Sequence, residues 1–164
     1  MEVRQAGVHI IIDLVTSDVD KINNVQSFYD YMEKVTDISD MVMIAHPQVM
    51  RFPWSGEYKR LANKLKKEGV QSKVLEDALE DLRAREEEKS GCTMFTVWAD
   101  SHASGHSWPE YQGLALDLFS CKEFNEEAVI SFISEWFSAE RMDVLIVERF
   151  FGKPQIIKSY TLFN

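Results

Sequence analysis

The chain holds 164 residues, 45% hydrophobic and 27% charged, a balance that suits one folded domain and excludes a disordered segment, a collagen-like repeat or a coiled-coil rod. Eighteen basic against 27 acidic residues leave a formal charge of −9, and a chain this acidic is a poor general binder of nucleic acid or of an anionic membrane, because phosphate affinity depends on clustered Lys and Arg. Two cysteines are too few for a disulfide framework, and with neither a signal-like N-terminus nor an apolar stretch of ~20 residues the chain reads as soluble and cytoplasmic.

Residues 8–15 are rich in β-branched side chains and predict a strand. Thr16, Ser17 and Asp18 then offer capping oxygens. Ile22, Val25, Phe28, Met32 and Val35 recur at helical spacing and predict an amphipathic helix over 20–36. Residues 41–45 read as a short strand stopped at His46-Pro47, because proline cannot donate to a ladder and disfavours helix in the residue before it. Residues 56–90 are charged, with Leu75, Ala78, Leu79 and Leu82 as one narrow apolar stripe. They predict two solvated helices, 57–67 and 73–88, turning at Gly69. The stretch is too polar to own a core, so 57–89 reads as a helical insertion within a single domain, 1–164.

Residues 92–99 alternate as a strand, with Phe95, Val97 and Ala99 on one side and Met94, Thr96 and Trp98 on the other. Residues 113–121 form another, with Leu114, Leu116 and Leu118 on one face and Ala115, Asp117, Phe119 and Cys121 on the other. Asn125, Glu126 and Glu127 open a helix whose apolar side is Val129, Phe132, Ile133, Trp136 and Phe137. Closing strands at 142–147 and 156–162 are linked through Gly152-Lys153-Pro154. This order predicts an α+β fold, a two-layer α/β sandwich with a mainly antiparallel sheet and helices on one face.

The densest polar stretch, residues 100–111, reads as a loop between two central strands and carries two of the four histidines; such loops are where catalytic residues concentrate. His102, His106 and Glu110 have the spacing of three ligands on one helix face. Gly105 weakens that helix and Pro109 breaks it, so no metal is expected. A Ser–His hydrolase using Ser101 or Ser104 with His106 and Asp100 or Asp117 lacks a nucleophile elbow. On pattern alone, a loop whose histidines satisfy hydrogen bonds accounts for the stretch. A third chemistry needs only an acidic residue before a serine at a strand end. The hydroxyl attacks the preceding carbonyl, the resulting ester eliminates to dehydroalanine, and hydrolysis leaves a pyruvoyl group. That carbonyl forms a Schiff base with an amine substrate and accepts electrons on decarboxylation, as pyridoxal phosphate does.

Asp100-Ser101-His102, then His106-Ser107-Trp108-Pro109-Glu110-Tyr111, then Asp117-Leu118-Phe119-Ser120-Cys121 resembles the core of the prokaryotic-type pyruvoyl-dependent S-adenosylmethionine decarboxylase family. That family runs acidic-Ser-His, four residues, T-W-P-E-Y, then D-x-F-x-C-G, and the spacings agree without gaps. The likeness covers roughly residues 7–54 and 90–150. It implies self-cleavage at Asp100-Ser101, a pyruvoyl group derived from Ser101, and His106 assisting processing. It further implies Cys121 as the acid that returns a proton to the substrate carbon, Glu110 on the ribose hydroxyls and Phe52 stacking on adenine. It also implies a second processing hydroxyl, for which Ser90 and Thr93 are the candidates, ungapped counting back from Ser101 pointing to Thr93. The implied activity is decarboxylation of S-adenosylmethionine, a cationic small molecule suited to an acidic protein, to supply the aminopropyl donor for spermidine synthesis. The implied assembly is a homodimer of processed protomers. The sequence departs from the family at Asp100, where Glu is usual, at Lys122, where glycine follows the cysteine, and at 57–89. These departures keep two alternatives open: a pyruvoyl-dependent ornithine or arginine decarboxylase of the same fold, and an unprocessed relative without enzymatic activity.

Overall fold

The computed structural model describes residues 5–51, 63–69, 73, 77, 91–150 and 153–163. Its strands are β1 (Gln5–Thr16), β2 (Gln48–Arg51), β3 (Cys92–Trp98), β4 (Ser101–Trp108), β5 (Gly113–Ser120), β6 (Ala139–Phe150) and β7 (Gln155–Phe163). Its named helices are α1 (Val19–Ile22), α2 (Val25–Ile38) and α3 (Glu126–Trp136), with a 3-10 turn at Pro109–Tyr111. The strands form one antiparallel sheet in the order β2-β3-β4-β5-β1-β6-β7, so the α+β sandwich read from the sequence is the observed fold.

Alternation explains the layering. In the register, Ile10, Ile12 and Leu14 lie opposite Leu118, Leu116 and Leu114 of β5 and opposite Ile146, Val144 and Met142 of β6. Side chains in register share a face, so these nine residues form one apolar sheet surface, and all are buried. Against it pack Phe28, Tyr31, Met32 and Val35 of α2 with Val129, Ile130 and Ile133 of α3. Tyr31 and Phe137 meet at 5.0 Å between ring centroids. The intervening residues of the central strands, His9, Asp117, His102 and Thr93 among them, face the other way, and among the described residues no helix packs on that side of the sheet.

Local chemistry sets the boundaries. The helix expected over 20–36 is two helices, because Asn24 leaves helical geometry to cap α2 and accepts the backbone N–H groups of Gln26 and Ser27 at 2.8 and 3.2 Å. Asp18 caps α1 through Lys21 N–H, and Asn125 caps α3 through Ala128 N–H. Residues 41–45 are not a strand. They make a single bridge, Met43 to Trp98, and the pairing strand is β2, after Pro47. Residues 63–67, 73 and 77 are helical, with a turn at 68–69 where Gly69 has φ 76°. The rest of the stretch 57–89 lies outside the described residues. Among the described residues no helix is long and apolar enough to cross a membrane.

Candidate active site

The polar stretch read as a loop is largely strand β4, hydrogen-bonded on both sides to β3 and β5. Its letters conceal this because the inward positions, Ser101, Ala103, Gly105 and Ser107, are small. Small residues are required there: a Cβ at Gly105 would collide with the side chains of Met94 and Leu116. Ser107 instead satisfies the edge of β3, accepting Cys92 N–H at 2.8 Å.

Trp98 pairs with Ser101, which leaves Ala99 and Asp100 as a two-residue turn. This turn is pinned from the helical layer. Ala99 N–H donates to the Val42 carbonyl at 2.9 Å, and Trp98 Nε1 donates to Thr36 Oγ1 at 2.8 Å. Ser101, the first residue of β4, points into the helix-covered side and is 9% exposed. Its hydroxyl donates to Ser120 Oγ at 2.9 Å. The carbonyl of Asp100 accepts the backbone N–H of Cys121 at 3.4 Å. Cys121 itself is exposed with a free thiol, beside a cavity of about 110 Å³ lined by Gly7, Val8, Ser120, Cys121, Lys122 and Glu123. Gly7 permits the close approach of β1 here, since with φ 147° any Cβ would strike the Ser120 carbonyl. Lys122 reaches back to Asp40, donating from Nζ to its carbonyl at 2.7 Å and pairing with its carboxylate. The hydrogen bond from Lys122 Nζ to the carboxylate, aided by its charge, holds the Asp40 carboxyl below the usual range.

A second group lies at the other end of the hairpin. Thr93 and His106 are register partners, with Thr93 Oγ1 and His106 Nδ1 2.8 Å apart. The ring of His106 packs against Trp108 at 4.4 Å between centroids. Burial pushes the His106 pKa down, and the charge of Glu110 on the 3-10 turn partly counters it. Nearby on the uncovered sheet face, His9 Nε2 lies 3.3 Å from Asp117 Oδ1, and Arg149 sits over the ring of Phe119.

The expected residues therefore assemble as two groups. Asp100, Ser101 and Cys121 meet at the turn; Thr93, His106 and Glu110 meet at the far end. His106 lies five residue steps along the strand from Ser101, which places them on opposite faces and about 17 Å apart at ~3.4 Å per residue. Phe52 lies outside the described residues. His102 and His106 share a strand face rather than a helix face, and no group of three or more His, Cys, Asp or Glu arranged for a metal occurs among the described residues. Sequence reasoning passed over Ser120 and the anchoring role of Lys122. The signal was present in the alternation of residues 114–120, which puts Ser120 on the Leu face, but its partner shows only once β4 is known to be a strand.

The sequence model of the family described as S-adenosylmethionine decarboxylase matches residues 57–150. The S-adenosylmethionine decarboxylase proenzyme of Thermomicrobium roseum is 39% identical over 61 residues, 37% of this chain and 53% of that protein. The proenzyme of Methanococcus aeolicus is 32% identical over 104 residues, 58% of this chain and 86% of that one. The chain thus spans about half the length of the first relative and most of the second. The crystal structure of the adenosylmethionine decarboxylase from Aquifex aeolicus, 19% identical, superposes with a TM-score of 0.60 over 89% of this chain and 92% of its own, and shares the fold. With more than half of its residues matched by the family model and a relative covered over most of its length, this chain belongs to the S-adenosylmethionine decarboxylase family.

Proposed function

We propose that the chain is a proenzyme that cuts itself between Asp100 and Ser101, converts Ser101 into a pyruvoyl group, and decarboxylates S-adenosylmethionine to the aminopropyl donor for spermidine synthesis. The observation that carries this reading is the Asp100–Ser101 junction. Within one tight turn, the carbonyl oxygen accepts a backbone N–H and the adjoining serine hydroxyl is held in place.

The chemistry follows from these contacts. Ser101 Oγ bonds to the Asp100 carbonyl carbon, the peptide C–N bond breaks, and the hydroxyl proton ends on the freed amine. A donor already aimed at the carbonyl oxygen, Cys121 N–H, favours the charge that develops there. The ester then loses the Ser101 Cα proton and its Cβ–O bond, leaving Asp100 as a new carboxyl terminus and dehydroalanine at 101. Water replaces the nitrogen as ammonia departs, giving the pyruvoyl carbonyl, which supplies the electron sink for decarboxylation. In this reading the exposed Cys121 thiol returns a proton to the substrate carbon, and Glu110 binds the ribose hydroxyls. His106 and Thr93 serve processing. Because they sit about 17 Å from Ser101 on the same chain, we propose a homodimer in which the uncovered sheet faces pack together, each copy's His106 end lying over the other's turn.

Denaturing mass spectrometry of the purified protein tests the reading. Fragments of 100 and 64 residues are expected, the smaller blocked at its N-terminus, while Ser101→Ala stays at 164 residues. A wild-type chain that remains intact after long incubation, indistinguishable from Ser101→Ala, overturns it.

A further inference from the structure

We propose that Ser120 is the positioning residue for self-cleavage: its hydroxyl oxygen orients the Ser101 hydroxyl for attack on the Asp100 carbonyl. This inference rests on the self-cleavage reading above and deepens it. Ser120 lies directly across from Ser101 in the β4–β5 ladder and is 2% exposed. A hydroxyl has one proton to give and two lone pairs to offer, and all three are engaged here. Ser120 Oγ donates to the Lys122 carbonyl at 2.7 Å and accepts Lys122 N–H at 2.9 Å. Its remaining lone pair receives the Ser101 hydroxyl at 2.9 Å. Met41 Sδ, at 3.7 Å, is a longer and weaker alternative acceptor than the carbonyl. The Lys122 backbone thus fixes the orientation of Ser120, and Ser120 fixes that of Ser101.

With its proton directed at Ser120, the Ser101 oxygen keeps its lone pairs for the carbonyl carbon, whose own oxygen is held by Cys121 N–H. In the step so arranged, the Oγ–C bond forms, the Asp100–Ser101 C–N bond breaks, and the proton ends on the freed amine. Ser120 emerges unchanged.

The test is a time course of cleavage in the full chain made by cell-free synthesis, with the fragments read by denaturing mass spectrometry. Three variants separate the hydrogen bond from the space it fills. Ser120→Ala removes the acceptor. Ser120→Cys keeps the volume with a weak acceptor, and Ser120→Thr keeps the hydroxyl. Misorientation of a reacting group costs up to about 10²-fold in rate, so Ser120→Ala and Ser120→Cys are expected to cleave at least ~10-fold more slowly, with Ser120→Thr restoring much of the loss. Thermal unfolding of Ser101→Ala with and without Ser120→Ala checks that the fold survives. A cleavage rate in Ser120→Ala or Ser120→Cys equal to wild type overturns the proposal while leaving self-cleavage standing. A wild-type chain that does not cleave overturns the self-cleavage reading, and this proposal with it.

Discussion

Cys121 presents its two halves to different events. The backbone N–H is spent on the Asp100 carbonyl, and the thiol stands exposed beside the small cavity behind Gly7. A side-chain deletion therefore separates the two. Cys121→Ala keeps the N–H and is expected to cleave as wild type does, while CO2 release from S-adenosylmethionine falls by about 10²–10⁴-fold, the usual loss on removing a general acid. Parallel assays of cleavage and CO2 release in this variant check both halves, and undiminished CO2 release removes the thiol from the mechanism. Ser101, His106, Glu110 and Cys121 were candidates on the sequence alone because their spacings within a continuous strand–turn–strand segment need no knowledge of the fold. Ser120 was not, because its importance lies in a partner nineteen residues away, and cross-strand register is written in no single stretch of chain.

The hairpin β3–β4 is the element on which the candidate chemistry depends, and a buried side-chain hydrogen bond helps tie it to the helical layer. Trp98, 2% exposed, donates from Nε1 to Thr36 Oγ1, which in turn donates to the Met32 carbonyl of α2. Thr36→Val fills the same space and leaves the indole N–H without this acceptor. Stranding a buried donor costs about 1–3 kcal/mol, so a fall in stability of that size is expected when unfolding is measured in the uncleaved Ser101→Ala chain; no change means that Trp98 finds another acceptor. Elements with apolar alternation or helical periodicity, β1, β3, β5 and α3, were readable because burial imposes their pattern. β4 was not, since close packing against Met94 and Leu116 demands glycine and small polar residues where the pattern calls for bulk. The break between α1 and α2 was missed for a different reason: an asparagine inside an otherwise periodic run acts as a cap.

Acid stability belongs to the whole molecule, because several titrating groups contribute. His9 and His106 both have pKa values pushed by burial below the ordinary 6.5, despite the opposing charges of Asp117 and Glu110. The unfolded chain therefore takes up these protons at a higher pH than the folded one. Their contribution to stability is intact above about pH 6.5 and is lost as pH falls below it, down through the lowered folded values. Asp40, held low by Lys122, adds a loss further into the acid range, but it is fully exposed and its pair is screened by solvent. Melting temperature is expected to be level from neutral to mildly alkaline pH and to decline below about pH 6.5, and His106→Asn to make that decline shallower. A wild-type melting temperature unchanged between neutral pH and pH 5 contradicts this.

The position of the Asp100–Ser101 bond, in the two-residue turn between β3 and β4, has a topological result. Residues 1–100 supply β1, β2 and β3, and residues 101–164 supply β4 to β7. In the sheet order β2-β3-β4-β5-β1-β6-β7 these two lengths of chain are interlaced: β3 adjoins β4, and β1 is wedged between β5 and β6. Severing the turn leaves every strand beside its neighbours. The shorter piece remains stitched to the longer along three seams, and the packed helices α2 and α3, one from each piece, clamp the same sheet face. A cut there converts one covalent chain into a heterodimer whose halves cannot part without dismantling the common core.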